Sequence, residues 1–240
     1  MDIIMHRGAS LLAPENTLAA ICWASKMGSQ WVELDTQLSI DEELVLMHDA
    51  TLNRTTNGKG LVCEKSLSEL RNLDAGTWFD NAYEGEPVPT LIEAIALTDK
   101  LGMMLNLEIK PFTQAKACVS ALLGVLKRVN RQQCSRLLFS SFSVDALTLL
   151  SEWYHGELNV ALNLLALPDQ FPALVKNELC EAIHVSSHML DSTLVRDIHA
   201  MGKKVRVYTI NSEAQARECQ ALGVDGIFTD DHRLVQLFNS

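Results

Sequence analysis

The sequence predicts an α/β protein built as a closed barrel of eight β/α units, and three observations predict it. First, a short punctuated unit recurs, in which a helical pattern ends at a glycine and an apolar strand begins a few residues later. Met27-Gly28 precedes Trp31-Val32, Leu101-Gly102 precedes 103–109, Met201-Gly202 precedes 205–210, and Leu222-Gly223 precedes Ile227-Phe228. Glycine just past a helix accommodates the left-handed closing residue, so each unit is a helix handing over to a strand. Second, helices and strands alternate about eight times with short connections, the pattern of a parallel sheet. Third, the chain has 240 residues and is 48% hydrophobic, and parallel barrels of ~250 residues commonly form one domain. One domain over residues 1–240 is expected. A doubly wound open sheet is the alternative on the pattern alone.

The elements read in order as follows. An apolar run, Ile3 to Met5, is the first strand, and a helix runs from Asn16. After the strand at Trp31, the stretch between His48 and Pro89 breaks the rhythm with turn-rich sequence, including 55–60 and 81–87. It is too long for an ordinary connection and reads as an excursion over the barrel mouth, at about residues 50–89. Ser66-x-x-Glu69, Thr90-x-x-Glu93 and Ser212-x-x-Gln215 match capping boxes ahead of apolar periodicity. Further helices run from Thr113, Ser143 and Asp191, and the remaining strands are read at 137–140, 158–164 and 182–185.

Composition excludes several classes. A net charge of −10 argues against a broad nucleic-acid surface or an electrostatic membrane dock, which need clustered Lys and Arg. The six cysteines, at 22, 63, 118, 134, 180 and 219, form no CxxC pair, and the N-terminus lacks a charged region followed by a long apolar stretch. Reduced thiols and a cytoplasmic location are expected. No apolar run approaches the ~20 residues that span a bilayer. Oligomeric state is not legible.

Polar clusters follow several of the apolar runs: His6-Arg7-Gly8, Glu33-Leu34-Asp35, His48-Asp49 and Glu108-Ile109-Lys110. Parallel strands all point the same way, so polar residues at their C-terminal ends converge on one mouth. Glu33 and Asp35 lie two apart on a strand and share a face, and Glu108 and Lys110 repeat that geometry. Three carboxylates aimed at one place repel without a cation. Hard oxygen ligands favour one divalent ion such as Mg²⁺, Ca²⁺ or Mn²⁺. Arg7 suits phosphate by bidentate hydrogen bonding, and Lys110 adds a compact positive charge. His6 and His48, both at strand ends, suit a general acid and base pair near neutral pH. Asn16-Thr17 reads as a helix start, and Asp49 as orienting His48 or capping a turn. His155, His184, His188, His199 and His232 read as structural.

These residues resemble the ordered motifs of the glycerophosphodiester phosphodiesterase family, most closely its compact bacterial cytosolic enzymes. The motifs are His6-Arg7-Gly8, Pro14-Glu15-Asn16-Thr17, Glu33-x-Asp35, His48-Asp49 with Leu52-x-Arg54-Thr55-Thr56-x-Gly58-x-Gly60, and Glu108-x-Lys110-Pro111. Ser140-Ser141-Phe142, Tyr208 to Asn211 and Gly223 to Asp230 also fit, so the resemblance spans nearly the whole chain. It implies a TIM (β/α)8 barrel with a small insertion after the second strand. It also implies metal ligation by Glu33, Asp35 and Glu108, acid/base work by His6 and His48, and phosphate binding by Arg7 and Lys110. Two departures stand out: Ser39 to Glu43 replaces a Thr-x-Asp-Gly turn, and Tyr208 stands where tryptophan is common.

The implied reaction is metal-dependent cleavage of a small-molecule glycerophosphodiester to glycerol 3-phosphate and an alcohol, with broad headgroup acceptance. The nucleophile is water or the substrate's own glycerol 2-hydroxyl. The competing readings are a phospholipase D-like or lysophospholipase D-like enzyme on the same scaffold and a barrel that binds phosphodiesters without cleaving them.

Overall fold

The structure is a computed structural model that describes residues 1–110, 114–154, 158–167 and 180–238. Eight parallel strands close into a barrel: β1 (Asp2–Met5), β2 (Trp31–Leu38), β4 (Met104–Ile109), β5 (Leu137–Ser141), β6 (Asn159–Leu164), β7 (Ala182–Ser186), β8 (Lys204–Tyr208) and β9 (Gly226–Thr229). The ring closes where β1 pairs with both β9 and β2, through Ile4↔Phe228 and Ile4↔Trp31. The open-sheet alternative is thereby excluded. The remaining strand, β3 (Leu44–Leu46), runs antiparallel to β2.

Helices α1 (Leu18–Lys26), α3 (Leu91–Lys100), α4 (Ala115–Leu126), α6 (Val144–Trp153), α7 (Ser192–Ala200), α8 (Glu213–Ala221) and α9 (Arg233–Phe238) surround the barrel; α2 (Leu67–Arg71) and α5 (Arg131–Cys134) are single short turns. Most helix starts are side-chain caps that satisfy backbone N–H groups, each contributing about 1 kcal/mol. Ser66 and Thr90 form full capping boxes with Glu69 and Glu93, and Ser143 and Asp191 cap α6 and α7. Ser212 accepts from the Gln215 N–H, but the Gln215 side chain returns to the Ser212 hydroxyl rather than its backbone. The helix read from Thr113 starts outside the described residues. The one read from Asn16 is capped by Thr17 instead.

Strand alternation divides the core. Ile3 and Met5, Val32 and Leu34, and Leu105, Leu107 and Ile109 pack outward with Ile21, Ile95, Leu122 and Leu147 of the helices. Their neighbours in sequence therefore face the barrel interior: His6, Glu33, Asp35, Asn106 and Glu108. At the other end of the barrel interior, Leu138, Ala161, Ala182 and Trp31 form a small apolar layer. The excursion after β2 has its own core of Val45, Met47, Leu52, Val62, Leu70, Ala75 and Val88. It is thus a packed insertion rather than a loose loop.

His48 does not end a barrel strand parallel to the others, because the run before it is β3, which folds back on β2. The turn that reverses the chain is made by Ser39 to Glu43: Glu42 adopts φ +60, and Ser39 Oγ accepts from the Glu43 N–H at 2.9 Å while donating to Asp41 at 2.6 Å. A short polar hydroxyl and an acid thereby supply the turn without glycine. The hairpin still delivers His48 to the mouth, because the Met47 N–H donates to the Asp35 carbonyl at 3.1 Å.

Candidate active site

The three predicted carboxylates meet. One oxygen each from Glu33, Asp35 and Glu108 lies within 4.8 Å of the others, as the register Asp35↔Glu108 requires. Their partners differ. Asp35 receives Asn16 Nδ2 at 2.9 Å, Lys110 Nζ at 3.2 Å and Arg7 Nε at 3.4 Å. Burial alone would raise its pKa, but Lys110 and Arg7 outweigh that and hold it low. Glu33 is 3% exposed; burial first, then the Asp35 charge, push its carboxyl up to about 8. Glu33 Oε2 accepts the Arg7 N–H at 2.9 Å, while Oε1 is buried without a hydrogen-bond partner among the described residues. Burial and Asp35 also raise Glu108, although Lys110 sits 2.9 Å from its Oε1.

Arg7 and Glu33 owe their approach to local backbone. Arg7 and Asn16 both take left-handed φ of 58, and Gly8 has φ +82. A Cβ on Gly8 would stand 2.5 Å from the Ala20 Cβ, so only glycine fits against α1. Asn16 uses its strained position to clamp Asp35 from both sides, donating Nδ2 to the carboxylate and accepting the Asp35 N–H at Oδ1. The helix-start reading of Asn16 therefore missed its role; the cap belongs to Thr17.

Both histidines are pinned at Nδ1, His6 by Asp230 at 2.8 Å and His48 by Asp49 at 2.7 Å. Such bonds fix ring orientation and leave Nε2 for proton transfer. Burial would lower the pKa of His6, but the Asp230 hydrogen bond and the Glu33 charge raise it. His48 is lowered, chiefly by burial, with Asp35 partly opposing. Asp230 is itself held by Ser10 and Asn211. Sequence reasoning left Asp230 unassigned, yet it follows β9 directly, and the strand-end logic applied to His6 would have flagged it.

Beneath the carboxylates lies a cavity of about 40 Å³, lined by His6, Glu33, Asn106, Glu108, Asn163 and His184 among others. Asn163 Nδ2 donates to Glu108 Oε2 at 3.3 Å. His184 is indeed within β7, and burial drives its pKa well below the usual value. It stays neutral. A roomier cleft of about 720 Å³ lies on the outer flank between Leu38 to Glu42, α4 and α6, and holds none of the site residues. Pro111 and His155 lie outside the described residues.

A closed parallel barrel whose C-terminal mouth gathers carboxylates, cations and anchored histidines is a TIM-barrel enzyme. Residues 6–234 match the Glycerophosphoryl diester phosphodiesterase family. The chain belongs to that family. A glycerophosphodiester phosphodiesterase of Caldanaerobacter subterraneus is 32% identical over 231 residues, covering 95% of this chain and 93% of its own. The structure of a phosphodiesterase from Oleispira antarctica, in complex with the product sn-glycerol-3-phosphate, superposes with a TM-score of 0.94 at 37% identity over 100% of this chain and 97% of that one. A glycerophosphodiester phosphodiesterase structure from Agrobacterium tumefaciens gives 0.80 at 31% identity, covering 97% of each chain. Among the described residues, no helix is long and apolar enough to cross a membrane.

Proposed function

We propose that this chain hydrolyses glycerophosphodiesters to glycerol 3-phosphate and an alcohol, as one catalytic unit that uses a single divalent cation and accepts many headgroups. The observation that carries the reading is three carboxylates, two of them buried and that of Glu108 half-buried, within 4.8 Å of one another, flanked by Arg7 and Lys110. The donor set fits a hard dication: all oxygen, with Glu33 Oε1 lacking a hydrogen-bond partner among the described residues. Glu33, Asp35 and Glu108 would hold it, and Mg²⁺, Ca²⁺ or Mn²⁺ are the candidates. When bound, the ion supplies charge neutralisation for the carboxylates and for a phosphate oxygen.

The chain's own residues do the rest. Arg7 and Lys110 bind the phosphate, since both are cations fixed by partners rather than free to collapse onto one acid. His6 and His48 exchange protons at Nε2, one taking the proton of the nucleophile, water or the glycerol 2-hydroxyl, and the other giving one to the departing alkoxide. Asp230 and Asp49 hold the rings in place. The cations of this site, Arg7 and Lys110, both serve the phosphate rather than a headgroup, which supports broad headgroup acceptance. The six free cysteines support a reducing, cytoplasmic setting.

The test is to incubate purified protein with glycerophosphocholine and Mg²⁺, Mn²⁺ or Ca²⁺ and to measure glycerol 3-phosphate. Release is expected; none with any of the three ions sinks the reading. kcat/KM for glycerophosphocholine, glycerophosphoethanolamine and glycerophosphoglycerol should agree within about tenfold, or ~1.4 kcal/mol of barrier. A glycerol-free diester should be much poorer. A hundredfold preference for one headgroup would contradict broad acceptance.

A further inference from the structure

We propose that Arg54, a residue of the insertion, is a positioning residue that ties the phosphate-binding Arg7 and the histidine His48 into one geometry. Its guanidinium forks between two carboxylates. Nη1 and Nη2 donate to Glu15 at 2.6 and 2.9 Å, while Nε and Nη2 donate to Asp49 at 2.8 and 3.0 Å. Each carboxylate in turn holds one site residue: Glu15 Oε1 also accepts from Arg7 Nη1 at 2.9 Å, and Asp49 Oδ1 bonds His48 Nδ1 at 2.7 Å. The single nitrogen Nη2 therefore touches the two oxygens on which Arg7 and His48 depend.

An exposed ion pair contributes little by itself, and the Arg54 side chain is 43% exposed. What distinguishes this one is sharing. Glu15 is 12% exposed and lies between two arginines that both lower its pKa against burial. Without Arg54, Glu15 is free to close bidentately on Arg7 and turn it from the phosphate. Asp49 is free to rotate about its own side chain and take the His48 ring with it. A planar fork can hold both carboxylates, whereas a lysine ammonium cannot match it. The insertion packs on a core of its own, so Arg54 also makes its seating a condition of a complete site.

The inference rests on the phosphodiesterase reading for its assay. In Arg54→Gln, kcat should fall and the Ki of glycerol 3-phosphate as competitive inhibitor should rise, lowering kcat/KM by ~10–100-fold, the scale for partners that orient site residues. Glu15→Gln should move mainly Ki, and Asp49→Asn mainly kcat. Adding Asp49→Asn to Arg54→Gln should lower kcat little further, because the two changes cut one linkage. Arg54→Lys should recover part of the loss. Arg71 anchors the same insertion elsewhere, donating to the Val88 carbonyl and to Glu93, so Arg71→Gln should leave kcat and Ki near wild type. The inference is overturned if Arg54→Gln keeps both constants within about twofold, or if Arg71→Gln reproduces its changes. Should Arg54→Gln not fold, equal effects of Glu15→Gln and Asp49→Asn on both constants overturn it instead. Wild-type protein that releases no glycerol 3-phosphate defeats the functional reading, a result distinct from any of these.

Discussion

Glu33→Gln should make the metal-free protein more stable while weakening cation binding and activity. Glu33 is 3% exposed, one of its carboxyl oxygens has no hydrogen-bond partner among the described residues, and its pKa is raised from 4.5 to about 8. The sign follows from linkage: a carboxyl raised on folding costs stability increasingly as pH climbs from its unfolded value to its folded one. At about pH 7.5 that cost is roughly 4 kcal/mol, at 1.36 kcal/mol per unit. Part belongs to repulsion shared with Asp35 and Glu108, so the neutral amide should recover ~1–3 kcal/mol. Gln keeps an oxygen for the Arg7 N–H and removes the charge. At ~2–4 °C per kcal/mol for a chain of this size, the metal-free variant should melt ~2–12 °C above metal-free wild type. Thermal unfolding in EDTA at about pH 7.5 and about pH 6 reads this directly. The gap should narrow at the lower pH, where taking up a proton at Glu33 on folding costs wild type less. With saturating Mg²⁺ the order should reverse, since binding to the folded state stabilises wild type by RT ln(1 + [L]/Kd). A metal-free variant that melts below wild type at about pH 7.5 refutes the reasoning.

Stripping divalent ions with EDTA should abolish turnover and Mg²⁺ or Mn²⁺ should restore it; full activity in protein shown to be metal-free would remove the cation from the reaction. Cation affinity should weaken as pH falls below about 8, because protons compete for Glu33, and a flat titration by calorimetry would contradict that. His6→Ala and His48→Ala should each cut kcat by ~10²-fold or more with little change in unfolding midpoint; a folded variant with normal turnover loses its histidine from the mechanism. Gly8→Ala should destabilise by ~1–3 kcal/mol and reduce activity, since the added methyl meets Ala20 Cβ at 2.5 Å beside Arg7; unchanged melting and turnover would show the close approach to be dispensable.

The barrel was legible because its cues are local and repeated. A glycine after a helix and a capping residue before one act within a few residues of chain, and 3.6- and 2-residue periods mark which face is buried. The inward set His6, Glu33, Asp35 and Glu108 followed from strand-end position and alternation together. His48 reached the right place by a route the pattern did not contain, an antiparallel hairpin whose turn carries Glu42 at positive φ. A three-residue strand cannot announce its direction. Asn16 and Arg54 were opaque for another reason: the Asp35 and Glu15 partners they hold lie 19 and 39 residues away along the chain. Each is a polar residue of ordinary type, and nothing local separates a cap or a solvated charge from a group that holds a catalytic side chain.

The same limit governs the two acids of β2. Glu33 and Asp35 are two residues apart, share a face and read alike in sequence, yet burial wins at one and is overcome at the other. The difference is supplied from elsewhere: Asn16 from the β1 to α1 connection, Lys110 from the end of β4 and the Arg7 guanidinium all converge on Asp35. Among the described residues, the Glu33 carboxylate receives a single backbone N–H. Asp35 is therefore ionised before any cation arrives, while Glu33 must exchange a proton for one. A cluster so divided keeps the metal-free protein from carrying three adjacent negative charges in its interior, and it makes cation binding, proton release and site assembly one coupled event.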